Sequence, residues 1–266
     1  MTIGLDARGP SPFFAAQADR RFSYCLYSPG LHSPGVPGPW PVVVVVHGTQ
    51  RMAERYRDAY RDFAEEHGCL VVAPLFPAGA DVPGDLSGYK RLEFRGTRYD
   101  LVLLAMLDEI AADLPARVDR FHLHGFSGGG QFAHRFALLH PERLASVSIG
   151  APGRVTRIDP DTPWWLGTAD VAERFGRALD LAELRRVPVQ MVVGAEDTDT
   201  AEIAEPGLDA GGATRIDRLH ALQANFERHG IAVELTLLPG VGHRGLQVQP
   251  TVQRFLAARL RRPRPG

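Results

Sequence analysis

The chain has 266 residues, 44% hydrophobic and 23% charged, and its 30 Lys plus Arg nearly balance 31 Asp plus Glu for a formal net charge of −1. That length suffices to bury a full core, and the absent basic excess excludes the electrostatic footprint of a nucleic-acid binder. No stretch approaches the ~18 apolar residues of a membrane span, and Met1-Thr-Ile-Gly-Leu-Asp lacks the basic start and apolar run of a secretory leader, so the expectation is a cytoplasmic protein with no membrane partner. Cys25 and Cys69 lie in apolar, strand-like stretches and read as small buried hydrophobes, and two thiols do not make a metal site. The basic C-terminus from Arg259 onward reads as a solvated tail.

Arg21–Tyr27 reads as an antiparallel edge strand. The stretch from Ser28 to Pro41 is rich in Pro and Gly and reads as a loop. Val42–Val46 is five valines without alternation, the pattern of a strand buried on both faces in a parallel sheet covered by helices. A helix is predicted from about Ala53 to His67, stopped by Gly68. Leu70–Ala73 is a short strand, and a polar loop covers about Pro77 to Gly96. Tyr99–Leu114 is a helix ended by Pro115, Phe121–His124 a strand, and Gly128–Leu139 a helix that stops before Pro141. After the strand Leu144–Ile149 comes an insertion from about Pro152 to Arg186, a small cap at most. Then follow the strand Val189–Val193, the helix Arg215–His229, the strand Ile231–Leu238 and the helix Leu246–Leu260. Strand alternating with helix predicts a single α/β domain over residues 1–266: an open, mostly parallel central sheet with helices on both faces and a small cap or none. Ligands in such sheets bind beyond the C-terminal strand ends.

Every residue singled out for chemistry lies just past such an end. Gly125-Phe126-Ser127-Gly128-Gly129 follows one predicted strand and opens a helix. A sharp strand-to-helix turn holds the Ser in a strained backbone conformation, and the glycines on either side relieve crowding. The helix N-terminus below supplies free N–H groups and positive dipole for an anion formed in acyl transfer. A Ser hydroxyl needs a base, and His243 sits in Pro239-Gly-Val-Gly-His between the last strand and the last helix. The base needs an orienting acid, and Val193-Gly-Ala-Glu-Asp offers Asp197, with Asp199 and then Glu196 as alternatives. His47-Gly48-Thr49-Gln50 follows the valine strand. Thr49 and Gly128 are assigned as backbone donors to an oxyanion, with His47 holding the loop.

With these residues in view, the chain resembles the α/β-hydrolase superfamily. His47-Gly-Thr-Gln, Gly125-Phe-Ser-Gly-Gly-Gly-Gln and Pro239-Gly-Val-Gly-His are similar to single-domain bacterial esterases of the polyhydroxybutyrate-depolymerase and feruloyl-esterase-like group, over roughly Phe22 to Leu260. The order Ser, Asp, His is the one that superfamily uses. The resemblance implies a carboxylesterase-like serine hydrolase acting through an acyl-enzyme on Ser127, with no cofactor and activity rising as His243 loses its proton. Secreted depolymerases of that group carry a signal peptide and often a separate binding domain. With neither evident here, the expected substrate is a small soluble ester. An amidase or peptidase, an acyltransferase or a perhydrolase on the same triad are the alternatives, and a non-catalytic binding protein is disfavoured because all three triad residues are present. Oligomeric state and pathway stay open.

Four further residues are assigned to a substrate pocket: Gln50, Phe126, Trp164 and Trp165, the tryptophans either walling the pocket or packing under their loop. His122 and His124 share one strand face, a spacing that can hold a metal, but no third ligand converges on them in the sequence and no metal is expected. Arg91, Arg95 and Arg98 either read an anionic substrate group or are solvated, the second being favoured.

Overall fold

The computed structural model describes residues 8–30, 38–205, 208 and 211–260. The N-terminal segment, residues 31–37 of the Pro/Gly-rich loop and the basic tail after residue 260 lie outside them. The strands are β1 (Gly9–Pro10), β2 (Phe14–Ala15), β3 (Ser23–Ser28), β4 (Trp40–Val46), β5 (Leu70–Leu75), a small β6–β7 hairpin (Glu93–Phe94 and Thr97–Arg98), β8 (Ala116–Phe126), β9 (Leu144–Gly150), β10 (Val189–Gly194) and β11 (Val233–Leu238). The main sheet runs β1-β3-β5-β4-β8-β9-β10-β11, with β2 also paired to β3. β5, β4, β8, β9, β10 and β11 are mutually parallel, and β3 joins β5 antiparallel. All six parallel strands therefore end on one rim.

The helices are α1 (Ala53–Asp58), α2 (Arg61–His67), α3 (Tyr99–Asp113), α4 (Gly128–Leu139), the short α5 (Val171–Phe175) and α6 (Leu181–Leu184) within the insertion, α7 (Arg215–Arg228) and α8 (Gln249–Leu260). They cover both faces, as β8 illustrates. Phe121 turns to α4, its ring 5.7 Å from that of Phe136, while His124 turns the opposite way to Gln249 of α8, as period-two alternation requires. The valines of β4 are all 0% exposed, which is why they carry no alternation. Among the described residues no helix is long and apolar enough to cross a membrane. Cys25 and Cys69 are buried and unbridged, and burial pushes their thiols up to about 11 and about 12.

Several boundaries differ from the sequence expectation for identifiable reasons. The strand at Arg21–Tyr27 is antiparallel but not a bare edge, because β1 and β2 pair along its outer side. Two-residue strands leave no periodic trace in a sequence. The single helix expected over Ala53–His67 is two, broken where Ala59 stays helical but Tyr60 turns to φ −103° and ψ 7°, with no helix-breaking residue at the break. Gly68 closes it in the left-handed conformation, φ 59°. The last helix begins at Gln249 rather than Leu246. Pro250 then sits in the first turn, where its missing N–H costs nothing; a start at Leu246 would have put it in the helix interior.

Candidate active site

β8 ends at Phe126 and α4 begins at Gly128, so one residue makes the whole reversal. Ser127 takes it with φ 58° and ψ −113°, a conformation that costs a side-chain-bearing residue on the order of 1–3 kcal/mol. The turn is over-determined by its neighbours. Ser127 N–H donates to the Gly150 carbonyl at the end of β9 at 2.8 Å, and the Ser127 carbonyl accepts from Gln131 N–H at 3.0 Å. A methyl group added at Gly125 would sit 2.1 Å from the Gly129 carbonyl oxygen, and one at Gly129 would sit 2.2 Å from that of Val46. Both positions admit only a hydrogen atom, so the crowding inferred from the sequence is real.

Two loops carry the remaining polar groups. The chain after β10 and the chain after β11 are zipped together, Ala195 N–H donating to the Leu238 carbonyl and Glu196 N–H to that of Val241 at 2.8 and 2.9 Å. This sets His243 against Asp197. His243 Nδ1 donates to Asp197 Oδ2 at 2.6 Å, and the Asp197 side chain is fully buried. Of the three acids considered, only Asp197 makes this contact; Glu196 and Asp199 are exposed, and Asp199 caps the N–H of Ala201. The second oxygen of Asp197 accepts from Arg215 Nη1 at 3.2 Å. Arg215, the first residue of α7, also reaches Glu202 at 2.8 Å and the Asp199 carbonyl at 3.3 Å. The His243 ring lies 4.9 Å from that of Phe126, which brings the imidazole to the elbow. No hydrogen bond joins Ser127 Oγ to His243 among the described residues; such contacts are commonly long in ligand-free sites and tighten when substrate binds.

The loop after β4 faces the same elbow. Thr49 N–H donates to no group among the described residues, and Gly128 N–H belongs to the first turn of α4, where no intrahelical acceptor exists. The Thr49 nitrogen lies 3.2 Å from the place a Gly128 methyl would occupy, so the two unpaired donors share one space. His47 anchors this loop: Nδ1 donates to the Gly48 carbonyl and Nε2 accepts from Phe76 N–H at 3.0 Å. Burial holds its pKa down at about 4, so it is a neutral structural residue. Arg51, which the sequence reading passed over, bonds the carbonyls of Thr49, Phe76 and Leu86 and stacks over Tyr89 at 5.1 Å. It thereby ties the loop after β4 to the ends of the two segments around Phe76 and Leu86. Its place five residues after the predicted strand end was the available signal.

The other candidates separate. Phe126 is 2% exposed and packs on His243 rather than lining open space. Gln50 is exposed. Trp164 is buried, donating through Nε1 to the Arg91 carbonyl at 2.8 Å with its ring against Phe175. Trp165 instead walls a cavity of about 170 Å3 beside the elbow. Arg91 reaches that cavity, Arg98 pairs with Asp100 at 2.6 Å, and Arg95 is exposed; the three do not converge. His122 and His124 do share a face, but His122 bonds Ser146, and His124 lies between Ser148 and Gln249. Among the described residues no group of three or more His, Cys, Asp or Glu is placed to hold a metal.

No protein-family model matches the chain, and no curated protein matches it in sequence. Its fold is similar to that of poly(aspartic acid) hydrolase-1 from Sphingomonas sp. KT-1, with TM-score 0.77, 23% identity and coverage of 93% of this chain and 98% of that one. It is also similar to a poly(3-hydroxybutyrate) depolymerase from Bordetella parapertussis, with TM-score 0.74, 23% identity and coverage of 96% and 94%. An S-formylglutathione hydrolase from Agrobacterium tumefaciens matches with TM-score 0.65, 22% identity and 94% coverage of both chains. The chain has the α/β-hydrolase fold.

Proposed function

We propose that this chain is a serine hydrolase that cleaves a carboxylic ester of a small soluble substrate through an acyl-enzyme on Ser127. The observation that carries this reading is the 2.6 Å bond from His243 Nδ1 to the buried Asp197. It commits Nδ1 as donor and leaves Nε2 as the proton acceptor at a strained serine. A His paired only with solvent, or a serine in a relaxed turn, would carry no such reading. The structural neighbours, which include hydrolases and a depolymerase, support it.

The chemistry follows from the parts. Ser127 Oγ attacks the acyl carbonyl as His243 Nε2 takes its proton. Asp197 fixes the imidazole tautomer and stabilises the imidazolium. Negative charge on the former carbonyl oxygen meets the N–H groups of Thr49 and Gly128, each such donor being worth about 3 kcal/mol in the transition state. The alcohol leaves with the proton from His243, and water, activated by the same imidazole, releases the acid and restores Ser127.

The test is hydrolysis of short-chain p-nitrophenyl esters by the wild type and by Ser127→Ala, with the matched anilide alongside. Turnover by the wild type and background rates from the variant are expected, with the ester favoured over the amide. Equal rates from both proteins would remove Ser127 as nucleophile.

A further inference from the structure

Beside the elbow, on the side of Gln131, lies the cavity of about 170 Å3. Gln131 is one turn into α4, four residues after Ser127 and about 6 Å along the helix axis. The opposite wall is also close to the site: a methyl group added at Gly128 would meet Lys90 Cε at 3.0 Å. Two cations, Lys90 and Arg91, line this space, and Arg135 lies behind it, bonded to the Lys90 carbonyl. Among the described residues Lys90, Arg91 and Arg135 have no carboxylate partner; Lys90 Nζ reaches only Ser87 Oγ at 3.2 Å. The Arg91 guanidinium lies over the Trp165 ring at 4.9 Å, and Arg135 sits at 5.2 Å from the same ring. Arg135 is fully buried, and its Nη2 has no hydrogen-bond partner. A fourth cation, Arg154, is neutralised by Glu205 at 2.6 Å.

We propose that this cavity binds a carboxylate carried by the substrate, so that the preferred ester is the half-ester of a short dicarboxylic acid. The inference rests on the hydrolase reading above and specifies its substrate. Buried charge without a partner is costly, and an incoming anion that pairs Lys90 and Arg91 relieves it. Burial, reinforced by Arg51, Arg135 and Arg91 and opposed by Asp85, holds the Lys90 ammonium down at about 8. Burial and the charges of Arg91 and Arg154 bring Arg135 to about 9. Both effects are those of a cation cluster awaiting an anion. The same wall carries Glu202 and Glu205, which repel a dianion more than a monoanion. A carboxylate therefore fits better than a phosphate.

The experiment compares kcat/KM for mono-p-nitrophenyl glutarate with that for p-nitrophenyl butyrate, in the wild type, Arg91→Gln, Lys90→Gln and the exposed control Arg95→Gln. The wild type is expected to favour the glutarate half-ester about tenfold or more, as charge-assisted bonds do. Arg91→Gln and Lys90→Gln are expected to lower that ratio at least tenfold, and Arg95→Gln to leave it unchanged. A wild type that turns over the butyrate ester but disfavours the glutarate one overturns the proposal and leaves the hydrolase reading standing. So does a ratio that survives both cavity substitutions. Calorimetric binding of free glutarate and of inorganic phosphate to Ser127→Ala tests the cavity without turnover. Glutarate binding that weakens in the Arg91→Gln, Ser127→Ala double variant is expected. No glutarate binding, or tighter binding of phosphate, would overturn it.

Discussion

Arg215 and Asp197 form the pair on which the acid's position depends, and a double-mutant cycle measures it. The Asp197 and Arg215 side chains are 0% and 3% exposed, and the contact is a single bond of 3.2 Å. At that separation two unit charges attract by about 5 kcal/mol with an effective dielectric of ~20. Desolvating both ions takes back much of this, so removal of one partner matters more than the net worth of the pair. Arg215→Met leaves the carboxylate buried with His243 as its remaining side-chain partner and should cost about 3 kcal/mol. Asp197→Asn leaves Arg215 with Glu202, 73% exposed, and should cost about 2 kcal/mol. The double variant should fall short of the sum by ~2 kcal/mol. Urea unfolding of the four proteins at one pH reads the cycle. Additivity within ~0.5 kcal/mol would refute the coupling. The rates should split the two roles. Asp197→Asn removes the acceptor that sets the imidazole tautomer and should lower kcat by about ten-thousand-fold. Arg215→Met keeps the His243–Asp197 bond and should lower it by about tenfold, the loss of one orienting hydrogen bond.

Acid should unfold the protein through its buried histidines. His47 and His124 are held at about 4 by burial, and His134 well below its ordinary value. Unfolded, each protonates near 6.5. Between those values the unfolded chain binds more protons, so stability is full above about pH 6.5 and falls by ~1.4 kcal/mol per pH unit for each histidine as pH drops toward 4. Denaturant unfolding at pH 7.5, 6 and 5 checks this, and a flat profile would contradict it. Gly125→Ala places a methyl 2.1 Å from the Gly129 carbonyl oxygen, so the elbow must open. The expected cost is about 2 kcal/mol or more in stability and on the order of a hundredfold in kcat/KM from displacing Ser127; wild-type values in both would mean the turn is slack.

The parts of the molecule legible in the sequence are those whose signal is local. Five valines without alternation mark a doubly covered strand, and glycines flanking a serine mark a turn that only hydrogen atoms can fill. Gly68 marks a helix end through its backbone torsion, and Pro115 and Pro141 mark two more through the restriction a proline puts on the residue before it. What escaped is set by contacts between distant segments. Asp197 is preferred over Asp199 and Glu196 by its place three residues after Gly194, but the zipping of the chain after β10 to the chain after β11, which sets it against His243, is encoded by no spacing. The break at Tyr60 has no glycine or proline behind it and falls among the buried Tyr56, Tyr60 and Phe63. Trp164 and Trp165 are adjacent in sequence yet split between packing and cavity, because Trp164 Nε1 finds the Arg91 carbonyl. Arg51, Lys90 and Arg215 look like ordinary charged loop or helix residues until their partners, or the lack of them, are seen.

The sheet order explains how so few residues come together at the proposed site. β4, β8, β9, β10 and β11 are consecutive neighbours and parallel, so the chain segments that follow them emerge on one rim. β4 contributes Thr49, β8 contributes Ser127, β10 contributes Asp197 and β11 contributes His243. β9 supplies the Gly150 carbonyl that pins Ser127 N–H. Each group thus follows a strand end by one to five residues, the strands before Thr49, Ser127 and Asp197 ending buried and the one before His243 partly exposed, and positional precision for such chemistry comes from rigid elements. The flanking helices then add electrostatics and, through Arg215, further positioning. α4 offers its N-terminal donors beneath the serine, α7 places Arg215 on the far oxygen of Asp197, and the segment before β6 brings Lys90 and Arg91 to the open side. On the proposal above, substrate charge is read there, off the rigid rim, so the cavity could change its preference without disturbing the groups around Ser127.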